Sequence, residues 1–458
     1  MKMETTALQK AAETIFRQSL ADCGVEQAFA RAVKVENTAG GQQLLIRGVE
    51  PINLDRVRRI RIVAVGKAST EMLDALLSRL SAAWHGDIAG VLIARELPLN
   101  LPPGFQFFRG SHPLPDEDSF AGARAALEML HRLQQDRANA DTTLCLFLIS
   151  GGASAMMELP LEPSITLADT IGFHRELVHS GASITEINCV RKHFSAVKGG
   201  RLAMAAGDIA SLSLLVSDVP PGQLDALASG PTLPDTSTVE QCREILSRYR
   251  LRERFPAAVQ QFFDREDLPE TPKPGSFTAP AATLLSSNEL AEVARAHAER
   301  LGFHTVVDNT CDDRDYREAA QYLIDRLRGL RRNHPRVCLI SAGEVTVELP
   351  SAESGIATGA GGRNQQFSLY AATLLEPVDA SVVVLSAGSD GIDGNSPAAG
   401  AVVDEQTLAR EDGPEIRAAA RRALECFDSY TFLQQMGRVI TTGPTGNNLR
   451  DLRILLAE

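Results

Sequence analysis

Six segments of this 458-residue chain carry the same mixture of small residues, glycine and one or two polar groups, directly after an apolar run. They are "VGKAST" (65–70), "ISGGASA" (149–155), "VSDVPPG" (216–222), "SSNELA" (286–291), "SAGEVT" (341–346) and "SAGSDGIDGNS" (386–396). Glycine permits tight turns and lets backbone N–H groups approach a ligand with no Cβ in the way. A helix that starts at such a turn points its positive end at the same spot, which suits phosphate or carboxylate. The candidate anion cradle is Ser150, Gly151, Gly152 and Ser154; the polar groups beside such turns are Lys67, Asp218, Asn288, Glu344 and Asp390. Tight turns alone would explain the glycines, but not Lys, Asp, Asn and Glu recurring beside them. Lys67 at a helix start opposes the helix dipole, which favours a functional reading; the alternative is a packed stem with the amine in solvent.

Two further segments are basic at a useful spacing. "TEINCVRKHFSAVKGGRLA" (185–203) holds Arg191, Lys192, His193, Lys198 and Arg201. It reads either as a solvated basic helix face or as an anion clamp in an otherwise acidic protein. "TGAGGRNQQFSLYAA" (358–372) sets Arg363 and Asn364 at a glycine-rich helix entry. A guanidinium there can aim a fork of donors at phosphate or carboxylate, or cap a neighbouring loop. Asp390 and Asp393 lie beside three glycines. They suit Mg²⁺ held through one or two carboxylates, and equally suit Asx turns.

No common nucleotide motif is complete. "RIVAVGKAS" (61–69) ends like a phosphate loop but has Arg61 in the first glycine position and Ala68 after the lysine. "GAGGRN" (359–364) has Asn364 where a dinucleotide fingerprint needs its last glycine. Neither the HRD nor the DFG tripeptide of protein kinases occurs.

These turns need strands and helices to position them. Short apolar runs at 61–66, 87–94, 143–150 and 211–218 alternate with helical patterns at 68–83 and 117–135. Near-continuous apolar strands separated by helices predict a parallel sheet covered on both faces. "LPETPKPGSFTAPA" (268–281) reads as a linker. After it, strands are expected at 282–287, 304–309, 336–350 and 380–390, with helices at 289–301 and 314–331. The expected fold is therefore α/β with two domains, 1–275 and 280–458, each a largely parallel sheet covered by helices. Ligands should bind beyond the carboxyl ends of the strands.

Composition excludes several classes. Hydrophobic residues make up 44% and charged residues 23%, an ordinary globular balance. No window approaches the roughly 18 unbroken apolar residues of a membrane span. The amphipathic start, "MKMETTALQKAAETIFRQSL", has no signal-like apolar centre, so a cytoplasmic location is expected. A net charge of −12 argues against nonspecific nucleic-acid binding. Seven scattered cysteines, none at a CxxC spacing, predict a reduced compartment with no disulfide and no structural zinc.

Several stretches together resemble the glycerate 2-kinase family with a C-terminal MOFRL domain. They are "VAVGKAS" (63–69), "GSHPLPDEDS" (110–119), "LISGGASAMM" (148–157), "NCVRKHFSAVKGGRLA" (188–203), "VSDVPPGQLDALASGPTLPD" (216–235), "GGRNQQFSL" (361–369), "SAGSDGIDGNSPAAGAVVD" (386–404) and "TTGPTGNNLRDL" (441–452). They span nearly the whole chain in one order. The resemblance implies a Rossmann-like kinase domain and a MOFRL α/β domain with the active site in the cleft between them. The last ~15 residues would pack back on that cleft. It implies transfer of the γ-phosphoryl group of ATP to the 2-hydroxyl of D-glycerate, with a divalent metal, Mg²⁺, whose ligands stay open. The lysine and the arginine that the family uses fall on Lys67 and Arg363, one from each domain, meeting the transferring group when the cleft closes. The loop after Asp218 departs from the family pattern at Pro221 and Gly222.

Phosphoryl transfer asks for in-line positioning and positive charge on the moving group, which fits these residues. Asp218 would orient or deprotonate the glycerate hydroxyl, or bind Mg²⁺. The "SGGAS" turn would hold the glycerate carboxylate or a nucleotide phosphate. Two alternatives stand beside this reading. An NAD(P)H-dependent hydroxypyruvate reductase should show a complete dinucleotide fingerprint. A non-catalytic phosphosugar-binding regulator would keep the anion loops without paired Lys67 and Arg363. Partners are expected to be small molecules, D-glycerate and ATP, with no nucleic acid or membrane; the oligomeric state stays open, a homodimer being one option.

Overall fold

The computed structural model describes residues 6–278, 280–350, 357–376, 379, 381–409 and 413–458. The first five residues of the amphipathic start, and Ala380 at the head of the strand expected over 380–390, lie outside the described residues. The chain divides into two compact units, Val25–Leu284 and Met1–Gly24 with Leu285–Glu458. No helix among the described residues is long and apolar enough to cross a membrane.

After the helix Val25–Ala32 the first unit forms a small antiparallel sheet of β1 (Val33–Thr38), β2 (Gly41–Ile46) and β3 (Ile52–Asn53). Its main sheet contains β4 (Arg59–Val65), β5 (Asp87–Ala94), β6 (Phe105–Arg109), β7 (Thr143–Ser150), β8 (Ala210–Val216) and β9 (Ala281–Leu285), in the order β6-β5-β4-β7-β8-β9. The pairings from β6 across to β8 are all parallel, as the unbroken apolar runs predict. Every residue of β7 is buried. The chain moves outward from β4 to β6, then returns to β7 on the other side of β4 and moves outward again. The strand order thus reverses between β4 and β7, the point at which open parallel sheets commonly bind ligands. Register sets Val65 level with both Ile93 and Ile149, so the turns after β4, β5 and β7 share one edge.

The helix Ile184–Phe194 starts at a capping box, Ser183 with Glu186. Its last residue, Phe194, stacks on Phe173 at 4.1 Å among Phe255, Phe262 and Phe263. That aromatic cluster holds the basic segment against the core. The segment does not continue as one helix to 203. Ser195 is extended, Gly199 and Gly200 take positive φ, and a short helix, Arg201–Met204, follows.

The second unit differs from the expected largely parallel sheet. Its strands β10 (His304–Val307), β11 (Val337–Ala342), β12 (Val382–Gly388), β13 (Gly400–Asp404), β14 (Val439–Ile440) and β15 (Asp451–Ala457) are ordered β10-β11-β15-β12-β13-β14. Only β10 and β11 run parallel; every other pairing is antiparallel. The chain end, β15, inserts between β11 and β12 with all seven residues buried. An apolar run signals burial but not strand direction, and no crossover helix separates β12 from β13.

Two segments join elements other than the ones expected. The strand at 281–285 pairs beside β8 at the edge of the first sheet, and Ser213 N–H bonds Pro280 O at 2.9 Å. The helix Ala7–Asp22 groups with the second unit, where Gln9 Nε2 donates to Asp404 Oδ2 at 2.7 Å. An amphipathic helix announces an apolar face but not which sheet that face will cover.

Candidate active site

In the first unit the turns after β4 and β7 are bonded to each other. Lys67 N–H donates to Gly151 O at 2.9 Å, and Ala68 N–H donates to Ser150 Oγ at 3.0 Å. Gly66 sits at φ +121°, and a Cβ there would lie 2.3 Å from Ser150 Oγ, so only glycine fits. Ser150 itself is 1% exposed. Its hydroxyl fastens the turn rather than facing a ligand.

Lys67 and Asp218 flank the Gly151–Gly152 turn. The Lys67 stem lies over Gly152, where a Cβ would be 3.0 Å from its Cγ and Cε. The Asp218 carboxylate lies on Gly151, where a Cβ would be 2.2 Å from Oδ2. Lys67 is exposed, and its amine makes no ion pair among the described residues. Ser154 Oγ bonds Ser229 Oγ at 2.9 Å, and Ser229 Oγ donates to Asn188 Oδ1 at 2.9 Å. Ala228 and Ser229 hold φ of 54° and 59° ahead of Gly230, left-handed conformations that cost of order 1–3 kcal/mol at each non-glycine residue. The helix after the turn, Ala153–Met156, is a single turn, so its dipole adds little.

The basic segment is neither a solvated face nor one clamp. Lys192, 4% exposed, pairs with Asp225 at 2.7 Å and Asp235 at 3.1 Å. Lys198 pairs with the fully buried Glu158 at 2.6 Å, which also meets His174 at 3.0 Å. Arg201 donates to the backbone oxygen of Lys192 at 2.6 Å. These three cations are committed inside the protein. Arg191 differs: its Nε is shut from solvent and has no partner among the described residues.

In the second unit Arg363 is the first residue of the helix Arg363–Leu374. Its Nε and Nη2 donate to the two oxygens of Asp451 at 2.6 and 3.2 Å, and Nη2 meets Glu344 Oε1 at 2.7 Å. Burial works against its charge, but Asp451 and Glu344 outweigh burial and raise its pKa. Burial raises the Glu344 carboxyl, with Arg363 opposing. A cavity of about 710 Å³, within the usual range for ligand sites, is lined by Glu344, Arg363, Asp390, Asp393 and Asn395, among others. Asn364 is buried beneath, bonded to Asp393 at 3.2 Å and to Ser386 at 2.6 Å. It holds the helix entry. Asn288 is exposed, accepts from Asn309 Nδ2 at 3.0 Å, and does not line that cavity.

The acidic residues at 390–393 separate by role. Asp393 accepts the N–H groups of Asn364 at 3.1 Å and Gln365 at 2.8 Å, and burial, then Asp451, push its pKa up to about 7. Both its oxygens are therefore used as a helix cap, which does not fit a metal ligand. Asp390 Oδ1 accepts from Ile392 N–H at 3.1 Å, an Asx turn that leaves its other oxygen for a cation. No group of three or more His, Cys, Asp or Glu arranged to hold a metal occurs among the described residues.

Sequence reasoning missed Asp451, Ser229 and Asn188, because their partners are 41 to 88 residues away in the chain. It also passed over His112 within "GSHPLPDEDS". Burial, then the charges of Lys67 and Arg95, hold the His112 pKa below its usual value, which puts this loop near the same strand edge.

Residues 11–264 match a family described as a domain of unknown function, DUF4147, and residues 337–451 match the MOFRL family. The chain is 34% identical over 414 residues to a D-glycerate 2-kinase of Thermotoga maritima, covering 88% of this chain and 91% of the other. It is 33% identical to an Agrobacterium vitis protein that carries the name of a hydroxypyruvate reductase, covering 87% of each. The crystal structure of a glycerate kinase from Thermotoga maritima is similar with a TM-score of 0.77 and 31% identity, over 99% of this chain and 100% of that one. With both family matches in one order, and with relatives of this identity over most of its length, the chain belongs to the glycerate 2-kinase family that carries a MOFRL domain.

Proposed function

We propose that the protein transfers the γ-phosphoryl group of ATP to the 2-hydroxyl of D-glycerate, giving 2-phosphoglycerate and ADP. The observation that carries this reading is a cation and a carboxylate, Lys67 and Asp218, on either side of the Gly151–Gly152 turn in a chain of this family. The switch point between β4 and β7 is also where an open parallel sheet binds its ligands. The incomplete fingerprint at 359–364 speaks against a dinucleotide-dependent reductase.

In the reaction the glycerate oxygen attacks the γ-phosphorus as the bond to the β–γ bridging oxygen breaks, and the hydroxyl proton is released. Lys67, exposed and unpaired among the described residues, supplies positive charge to the phosphoryl oxygens. Asp218 accepts a hydrogen bond from the attacking hydroxyl and orients it. Arg363, its Nε and Nη2 held by Asp451 and Glu344, keeps Nη1 for an anion in the cavity of its own unit, a nucleotide phosphate in this reading. Mg²⁺, carried in on the phosphates, would neutralise their charge, and Asp390 is the carboxylate with an oxygen left for it.

The test is ADP release from ATP and Mg²⁺ with D-glycerate, followed by phosphorus NMR of the product. ADP release with a 2-phosphoglycerate signal is expected. Oxidation of NAD(P)H by hydroxypyruvate without ADP release would overturn the proposal.

A further inference from the structure

Arg191 in the first unit carries a donor, Nε, that is shut from solvent and met by nothing among the described residues. Glu158 is fully buried, and its carboxylate accepts from Lys198 Nζ at 2.6 Å, from Leu159 N–H at 2.9 Å, and meets His174 Nε2 at 3.0 Å. Burial, opposed by the Glu158 contact, leaves the His174 pKa below its usual value, so near neutral pH the imidazole carries no charge. One carboxylate therefore serves two cations, Lys198 and Arg191. Lys198 takes the direct contact. Arg191 makes no hydrogen bond or ion pair among the described residues, and its Nε is closed to solvent. Burial pushes its pKa down, with the Glu158 charge acting against that. Arg191 is partly exposed, and a donor shut from solvent on such a guanidinium is costly unless an acceptor meets it, which an anion would do.

A further donor lies beside it on the same helix. Asn188, three residues earlier on the same helix, shares its face. The Asn188 Oδ1 is taken by Ser229, while its NH₂ has no partner among the described residues. Ser229 in turn bonds Ser154, two residues after the Gly152 that the Lys67 stem covers. The left-handed pair Ala228–Ser229 keeps this chain of groups in place at a cost in backbone energy. The Phe173–Phe194 stack pins the helix that carries Arg191. A planar guanidinium fork with an amide NH₂ beside it matches a carboxylate.

We infer that Arg191, with the Asn188 amide, receives the carboxylate of the 2-hydroxy acid substrate, which the Ser229–Ser154 link to Asn188 sets beside the Gly151–Gly152 turn. This rests on the glycerate-phosphorylating reading. Such a site makes Arg191 a specificity residue: it selects hydroxy acids over simple polyols.

Arg191→Gln and Arg191→Lys test it. Kinetics are measured with D-glycerate and with glycerol, which lacks the carboxylate, and melting is followed with D-glycerate alone. For Arg191→Gln the KM for D-glycerate is expected to rise about 10- to 100-fold, with the KM for ATP within about 2-fold. The preference for glycerate over glycerol should shrink by the same factor, and Arg191→Lys should recover part of it. The unliganded variant should melt no lower than the parent, since the solvent-shut Nε donor that nothing meets is gone, and should lose the melting shift produced by D-glycerate. An unchanged KM for glycerate with a parent-like melting shift overturns the inference. A rise in the KM for ATP alone overturns it too, and would place a nucleotide phosphate on Arg191. Should Arg191→Gln fail to fold, Arg191→Lys and Asn188→Ala decide by the same KM comparison. If the parent releases no ADP with glycerate, the functional reading fails, while the melting shift still reports on the carboxylate site.

Discussion

Replacing Gly151 with alanine moves Asp218 without touching it. A Cβ built at Gly151 stands 2.2 Å from Asp218 Oδ2 and 2.8 Å from its Cγ, whereas ordinary contact begins near 3.4 Å. The carboxylate must therefore retreat by about 1 Å. Misplacing a group at the reacting atoms by that much costs about 100-fold in rate, or about 2.7 kcal/mol of barrier. Gly151 does not use the left-handed region, so alanine brings no backbone strain and the fold should persist. The assay is steady-state ADP release, with melting measured alongside. Expected are a kcat about 100-fold down, a KM for ATP within about 3-fold, and a nearly unchanged melting temperature. Gly222→Ala is the control. It lies in the loop after Asp218, and a Cβ there meets nothing within 4 Å, so its rate should match the parent. A Gly151→Ala enzyme with a kcat within about 3-fold of the parent would refute the placement of Asp218 at the attacking hydroxyl.

Lys67→Ala should lower kcat by about 100- to 1,000-fold with no loss of melting temperature, since the amine is exposed and unpaired among the described residues. Arg363→Ala should also lower kcat or raise the KM for ATP; both within about 3-fold of the parent would count against a phosphate at Arg363. Burial alone would raise the Glu158 carboxyl, but Lys198 and His174 outweigh it and hold it at about 2 against its ordinary 4.5. A depressed folded value gives stability that is present above about pH 4.5 and lost as pH falls toward 2, here about 3 kcal/mol. Glu158→Gln should therefore cost about that much at pH 7 and clearly less at pH 3; urea midpoints that differ equally at both pH values would contradict it. Cys426 is exposed and the other six cysteines are buried, with burial pushing Cys145 up to about 12 against the nearby Arg61. A thiol reagent should thus titrate one group rapidly in the native protein and seven after unfolding, and a native burst above one would count against this burial pattern.

Much of the first sheet was legible because its strands are buried on both faces. "TLCLFLIS" and "RIVAVG" can be little else between helical patterns, and parallel pairing follows from the helices between them. The turns that end them were legible for the same reason, since glycine beside Lys67 and Asp218 stands out against apolar neighbours. The second sheet was misread. "DLRILLA" is as apolar as any parallel strand, yet it runs antiparallel to both β11 and β12 at the centre. The basic segment was misjudged too, because nothing local to Lys192 announces Asp225 and Asp235, 33 and 43 residues on.

The sequence by itself determined the α/β class, the strand ends that carry polar groups, and the family to which they belong, because periodicity and turn chemistry are local and act over a few residues. The tertiary structure decided which of those groups are committed and which are left to act. Ser150, Lys192, Lys198, Asn364 and Asp393 are consumed by internal bonds, whereas the Lys67 amine makes no ion pair among the described residues and the Arg191 guanidinium makes no bond there. The physical reason is burial. A charge taken out of water must find a partner, and its partner is chosen by packing across the fold rather than by its neighbours in the chain.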